Sequence, residues 1–197
     1  MVQLRLLDAA AAAFLERAYD ATSIDDIGRA IGATKGAVYY SYRSKVELFT
    51  GVYERGMLLL EERVARALDG VRGAGAEERL RVVNVAHAEN IMAHFAYHVV
   101  IQQGVEHRRQ MPLRDRDRAR LGDLDQMRHR HEDLVIELIE DGIAAGTIRS
   151  VPTRLATRTL IGGVVGLAVW YRPREDQSDQ DRRVLAEQSW TSFSREF

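Results

Sequence analysis

The stretch TSIDDIGRAIGATKGAVYYSYRSKVELF, residues 22–49, decides the fold. It opens with a helix-start signal, because Ser23 stands three residues before Asp26. A hydroxyl and a carboxylate are thus placed to meet the free N–H groups of a first turn. Ile24, Ile27 and Ile31 then recur at helical spacing and form one apolar face. Gly32 stops that helix and Thr34 is suited to cap the next. On the second helix Val38 and Tyr42 sit four apart and pack inward, leaving Lys35, Gly36, Ala37, Tyr39 and Tyr40 outward. Between Ile27 and Val46 stand Arg29, Lys35, Arg43 and Lys45, and no acid. Two short helices joined by a glycine turn, the second with a small, aromatic and cationic outer face, make the layout of a helix-turn-helix DNA reader.

Outward from this stretch the pattern continues. LLDAA…F at Leu6–Phe14, AYDATSIDDI at 18–27 and GATKGAVYYSYRSKVELF at 32–49 together resemble the DNA-binding domain of the TetR family of bacterial one-component regulators. Tyr42 stands where the family pattern usually has Phe, and Gly28 where it usually has Ala. The basic arm before the first helix is reduced to Arg5. The resemblance implies that the outward face of the third helix enters the major groove of double-stranded operator DNA, with base-edge and phosphate contacts sharing the work. At the matching positions, Thr34 meets a phosphate at the helix N-terminus and Lys35 a base edge or phosphate. Gly36 and Ala37 permit close approach, Tyr39 and Tyr40 reach backbone or base edges, and Lys45 a phosphate. Thr22 and Ser23 add phosphate contacts beside their capping role.

Composition narrows the alternatives. A chain of 197 residues suffices for one large domain or two modest ones. With a net charge of −1, any basic DNA footprint must be local, and residues 27–46 offer it. The absence of cysteine excludes disulfides, thiolate metal sites and Cys nucleophiles. Asp8 and Glu16 interrupt the alanine-rich start, which reads as a first helix and not a leader. No apolar run approaches the roughly 20 residues of a membrane span. A cytoplasmic location and no membrane partner are the expectation.

Three prolines and a helical apolar period throughout give an all-α fold. Helices are expected near 2–18, 24–31, 35–41, 45–69, 77–95, 97–109, 115–144, 153–171 and 179–195, about nine in all. Breaks fall at GVRGAG (70–75), Met111-Pro112 and AGTIRSVP (145–152). The expected organisation is an N-terminal three-helix helix-turn-helix DNA-binding domain over 1–49 and a larger helical ligand-binding and dimerisation domain over 50–197.

A homodimer follows from the need to read two half-sites. Its expected interface lies in Leu155–Tyr171 with Val184–Phe197. There Leu160, Val164, Leu167, Trp190 and Phe193 supply apolar surface, and Gly162, Gly163 and Gly166 allow close packing. The resemblance places the dimer interface on the last two helices, while burial in the chain's own core is the alternative.

Polar residues set in apolar helices are candidates for an effector pocket: Asn84, His87, Asn90, His94, His98, Gln102, Gln103 and Trp170. If their helix is continuous, His87, His94 and His98 share a stripe, and His94-x-x-x-His98 has metal-ligand spacing. No third ligand is evident, so no metal or other cofactor is expected. No Glu-x-x-His pair or nucleophile elbow occurs, and enzyme activity is not expected. The run at 107–133 alternates in charge and reads as a solvated helix laced with i,i+4 pairs; the alternative is a rim for an anionic ligand. EDGIAAGTI (140–148) and Trp170-Tyr171-Arg172-Pro173 resemble a subgroup associated with fatty-acid and steroid catabolism, which implies a small hydrophobic or acyl-CoA-type effector. The expected function is a dimeric, ligand-released repressor. A ligand-independent regulator or activator, and a metal-binding helical module on the His stripe, are the alternatives.

Overall fold

The computed structural model describes residues 2–107 and 114–194. Their helices are α1 (Val2–Arg17), α2 (Ile24–Ala30), α3 (Lys35–Ser41), α4 (Lys45–Asp69), α5 (Ala76–Ala93), α6 (Phe95–His107), α7 (Asp115–Ala144), α8 (Thr153–Val165), α9 (Leu167–Trp170) and α10 (Asp179–Ser194). No strand occurs among the described residues, and no helix is long and apolar enough to cross a membrane. The expected break at Met111-Pro112 lies outside the described residues.

Local chemistry fixes the first boundaries. Ser23 Oγ accepts the Asp26 N–H at 3.1 Å and donates to the Asp26 carboxylate at 2.6 Å. Gly32, at φ +68°, turns the chain out of α2, and Thr34 Oγ1 accepts the Ala37 N–H at 3.3 Å. Ser44 Oγ accepts the Glu47 N–H at 3.1 Å, and the Glu47 carboxylate accepts the Arg43 N–H at 2.8 Å. Each such cap contributes about 1 kcal/mol.

The chain forms two compact units. The first comprises the described residues of 1–57 and 96–125. Its core joins Leu6, Phe14, Ile27, Val38, Leu48, Phe49 and Val52 with Tyr97 and Val100 of α6. Phe14, Tyr19 and Phe49 form a ring cluster with centroids 5.1–5.8 Å apart. α6 is also bonded to α1: Tyr97 Oη donates to Asp8 at 2.6 Å, and Gln103 Nε2 to the Phe14 carbonyl at 3.2 Å. Burial and the Asp8 carboxylate both push the Tyr97 phenol upward.

The second unit comprises 58–95 and the described residues of 126–197. α10 packs along α5, and α5 also meets α8 and α9. Arg81 of α5 ties this packing together, bonding Glu78 at 2.7 Å and Glu187 of α10 at 2.6 Å. At the end of α7 the Gly142 carbonyl accepts the N–H groups of Thr147 and Ile148, with Gly146 at φ +71°. A Cβ on Gly142 would lie 2.5 Å from Ile148 Cδ1. The EDGIAAGTI segment is therefore a helix terminus folded back on its own last turn.

Two expectations change. The helix expected over 153–171 breaks at Gly166, because Gly162, Gly163 and Gly166 weaken its helical preference where α8 gives way to α9. Several charges of α7 pair with other helices, beside local pairs such as Arg118–Asp115. Arg120 meets Glu54 at 2.8 Å, Arg130 meets Glu61 at 3.1 Å, and Glu132 meets Arg158 at 3.7 Å. α7 buries Leu121, Leu124, Met127, Val135, Leu138 and Ile139, so its charged flanks lie beside neighbours.

Candidate nucleic-acid interface

Val38 and Tyr42 are buried, which fixes the rotation of α3 and turns its other face outward. Thr34, Lys35, Gly36, Ala37, Tyr39 and Tyr40 are all exposed, Tyr40 at 93%. A Cβ on Gly36 would meet nothing within 4 Å, so nothing inside the protein demands glycine there. Gly28 is different: a Cβ there would sit 2.7 Å from Val38 Cγ2, so its small size lets α2 and α3 approach.

The flanking polar residues are more committed than their sequence positions suggest. Thr22 is only 2% exposed, and its hydroxyl shares a proton between the carbonyls of Ala18 (2.7 Å) and Ala13 (3.2 Å). It pins the α1–α2 loop and presents no hydroxyl to a phosphate, a correction to its expected contact. Ser23 stays exposed while capping α2. Lys45 Nζ donates to the carbonyls of Tyr19 (2.9 Å) and Asp20 (3.3 Å) and lies 4.3 Å from the Tyr19 ring centroid. Burial raises the Tyr19 phenol to about 12. Lys35 Nζ meets Asp25 at 2.8 Å and stands 5.7 Å from the Tyr39 ring. Arg5, the remnant of the basic arm, donates to the Ile31 carbonyl at 3.5 Å. A shallow depression beside α3 is lined by Asp20–Asp25, Tyr39 and Arg43–Lys45. Sequence reading did not single out Asp25, although its place in the first turn of α2 was visible.

The effector candidates do not form one stripe. α5 ends at Ala93 and His94 leaves helical geometry (φ −123°, ψ 42°), so His87, His94 and His98 are not on one continuous helix. Asn84, His87 and Asn90 are buried in the second unit, and His94, at the end of α5, is half-buried there. His98, Gln102 and Gln103 belong to the first. His87 lies against His131 of α7, which sequence reading missed inside a charged run. The nitrogens Nδ1 and Nε2 are 3.1 Å apart and the rings edge-on. Burial pushes His131 down to about 4. Asn84 Oδ1 and Thr157 Oγ1 are buried without a hydrogen-bond partner. Trp170 is 60% exposed, while its neighbour Tyr171 is buried against Phe95 and donates to Gln177.

Of the expected dimer residues, Leu160, Val164, Leu167 and Trp190 are buried within the single chain by packing inside the second unit. Gly162 is exposed, Gly163 and Gly166 are half-buried, and Phe193 lies outside the residues whose side chains are described. The apolar side chains left outward on these helices are Leu155, Val169, Trp170 and Val184.

Comparison with known proteins agrees with this architecture. Residues 6–52 match the family model "Bacterial regulatory proteins, tetR family". Residues 73–182, more than half the chain, match "Tetracyclin repressor-like, C-terminal domain". The HTH-type transcriptional repressor KstR2 of Mycobacterium tuberculosis is 26% identical over 169 residues, 85% of this chain and 80% of KstR2. The crystal structure of the TetR family regulator PfmR from Thermus thermophilus superposes with a TM-score of 0.81 at 26% identity, covering 97% of each chain. AibR, solved in complex with isovaleryl coenzyme A and operator DNA, shares the fold with a TM-score of 0.74 at 22% identity, over 95% of this chain and 96% of AibR. With its reader and most of its helical body both matching, the chain belongs to the TetR family of helix-turn-helix transcriptional regulators, which are DNA-binding proteins and not enzymes.

Proposed function

We propose that this protein is a repressor that binds palindromic operator DNA as a homodimer and is released by a small hydrophobic or acyl-CoA-type effector. The observation that carries the reading is the outward face of α3, where Lys35, Gly36, Ala37, Tyr39 and Tyr40 are exposed around a buried Val38. That face has the small and cationic chemistry that a major groove accepts. Thr34, Ser23 and Lys45 flank it as phosphate contacts; Lys45 donates two of its three N–H bonds to backbone carbonyls. Dimerisation is supported by the outward apolar side chains on α8, α9 and α10 and by the open space at Gly162.

The repressor sense is supported by the likeness to KstR2, and the effector class by AibR with its bound isovaleryl coenzyme A. Asn84 and Thr157 add buried oxygens that an effector's donor groups would satisfy. The effector shifts the equilibrium only by binding the DNA-free arrangement more tightly than the DNA-bound one. In this reading α4, whose residues belong to both units, carries the change.

The test begins with selection from a randomised duplex library, where enrichment of an inverted repeat is expected. The selected duplex is then titrated with a panel of CoA thioesters of increasing chain length. Release by one or more members supports the effector class. No enrichment overturns the DNA reading, and no release by any member overturns the acyl-CoA assignment.

A further inference from the structure

The least expected charge beside the reading face is Asp25. It sits in the first turn of α2, lines the depression next to α3 with Tyr39, Arg43 and Lys45, and bonds Lys35 Nζ at 2.8 Å. The pair is open to water, with side-chain exposures of 67% for Lys35 and 43% for Asp25. Such a pair contributes little to folding, and a carboxylate near the DNA-facing surface repels phosphates. An acid in the first turn also favours α2, but that needs no lysine beside it; what the pairing adds is orientation. Lys35 is a long, flexible side chain, and two groups fix it: the Asp25 carboxylate and the Tyr39 ring at 5.7 Å. The second oxygen of Asp25 is buried without a partner, so Lys35 supplies the side-chain pairing of that carboxylate. The bond to Asp25 also holds the Lys35 ammonium in its charged form, above its ordinary range.

We infer that Asp25 is a positioning residue for operator specificity: it holds Lys35 in its reading orientation and keeps the ammonium from following phosphates of any sequence. The inference rests on the DNA-reading function proposed above. Its chemistry separates two quantities that a simple basic patch would change together. Removing the carboxylate frees the lysine to follow any phosphate, which strengthens sequence-independent binding. The ordering cost of Lys35 then has to be met at the operator itself, which weakens specific binding.

The experiment uses the full-length protein and the duplex enriched by library selection, with a scrambled duplex of equal length as the non-specific probe. Binding of wild type, Asp25→Asn, Lys35→Met and the double variant is measured across a KCl series. The Asp25→Asn variant is expected to bind the selected duplex several-fold more weakly and the scrambled duplex equally or more tightly. Its specificity ratio then falls on the order of tenfold. In the Lys35→Met background the same substitution is expected to leave the ratio unchanged, because there is no lysine left to position. Thermal unfolding of each variant shows that the protein remains folded. Equal tightening on both duplexes, or an undiminished effect of Asp25→Asn in the Lys35→Met background, overturns the inference while leaving the DNA reading intact. Failure of wild type to prefer the selected duplex overturns the DNA reading itself and the inference with it.

Discussion

In the reader, side chains of Ser23, Thr34 and Ser44 bond the first turns of α2, α3 and α4. At the starts of α5, α8 and α9, where Gly75, Pro152 and Gly166 stand, no side-chain cap forms, whereas α10 opens on a capping box in which Ser178 and Asp181 bond each other's N–H groups. Short helices of seven residues such as α2 and α3 do not stand alone in water, and caps contribute a large fraction of what they need. The longer helices of the body rely on packing partners distant in sequence, as the Arg81–Glu187 contact between α5 and α10 illustrates. The reader's short helices thus lean on local signals more than the body's longer ones do, and the two should fail in different ways.

The strongest way to break this comparison is to attack the reader where local signals do not suffice. Phe49 is fully buried and meets both Phe14 and Tyr19 edge-on. Phe49→Ala is expected to cost about 3–5 kcal/mol in chemical denaturation, despite intact caps. A loss below about 1 kcal/mol would mean that the caps, and not the ring cluster, hold the reader.

This contrast also explains what was legible in the sequence. Caps and i,i+4 spacing act within a few residues, so α2, α3, the outward set at 34–40 and the inward turn of Val38 and Tyr42 were readable. Thr22 was misjudged because its burial depends on the carbonyl of Ala13, nine residues away. Leu160, Val164 and Leu167 could be read as dimer interface or as core, because an apolar helix face does not state what covers it. His131 was hidden because its partner, His87, lies 44 positions away. The subgroup resemblance carried by EDGIAAGTI and Tyr171 needs no ligand to explain it, since Gly142, Gly146, Ile148 and Tyr171 close the second unit's own structure.

The body's dependence on tertiary contact gives the next expected effect. Folding holds His131 neutral down to about pH 4, whereas an unfolded histidine protonates near 6.5. Between those values the unfolded chain binds more protons, so stability is full above about pH 6.5 and falls as the pH drops toward 4. The loss is on the order of 2–3 kcal/mol. Denaturant midpoints measured across this window should flatten in His131→Gln; an unchanged slope would remove His131 as the cause.

A smaller effect sharpens the division within the reader between folding and binding. Tyr40→Ala is expected to leave the melting temperature unchanged and weaken operator binding about tenfold, the loss of a contact in each half-site. Lys45→Ala removes two bonds to backbone carbonyls and a cation–π contact with the Tyr19 ring, so about 1 kcal/mol of stability should go with the affinity. Equal behaviour of the two variants in thermal and binding assays would show that the distinction between an exposed contact and a structural strut is misplaced.

The smallest effect tests the body's outer surface through its sign. A Cβ added at Gly162 meets nothing within 4 Å in the single chain, so Gly162→Ala should stabilise α8 by up to about 1 kcal/mol through helix propensity alone. If the outward face of α8 packs against a second copy, that same methyl group occupies the space into which the partner must come. Dimer dissociation measured by sedimentation over a concentration series should then increase, even as the isolated chain gains stability. A variant that is more stable with an unchanged dimerisation constant would place the interface away from Gly162. The contacts of Leu155, Val169 and Val184 would then have to be sought separately. The pairing of opposite signs makes the substitution informative: packing within one chain predicts only a gain, and close packing between two chains predicts a gain and a loss together.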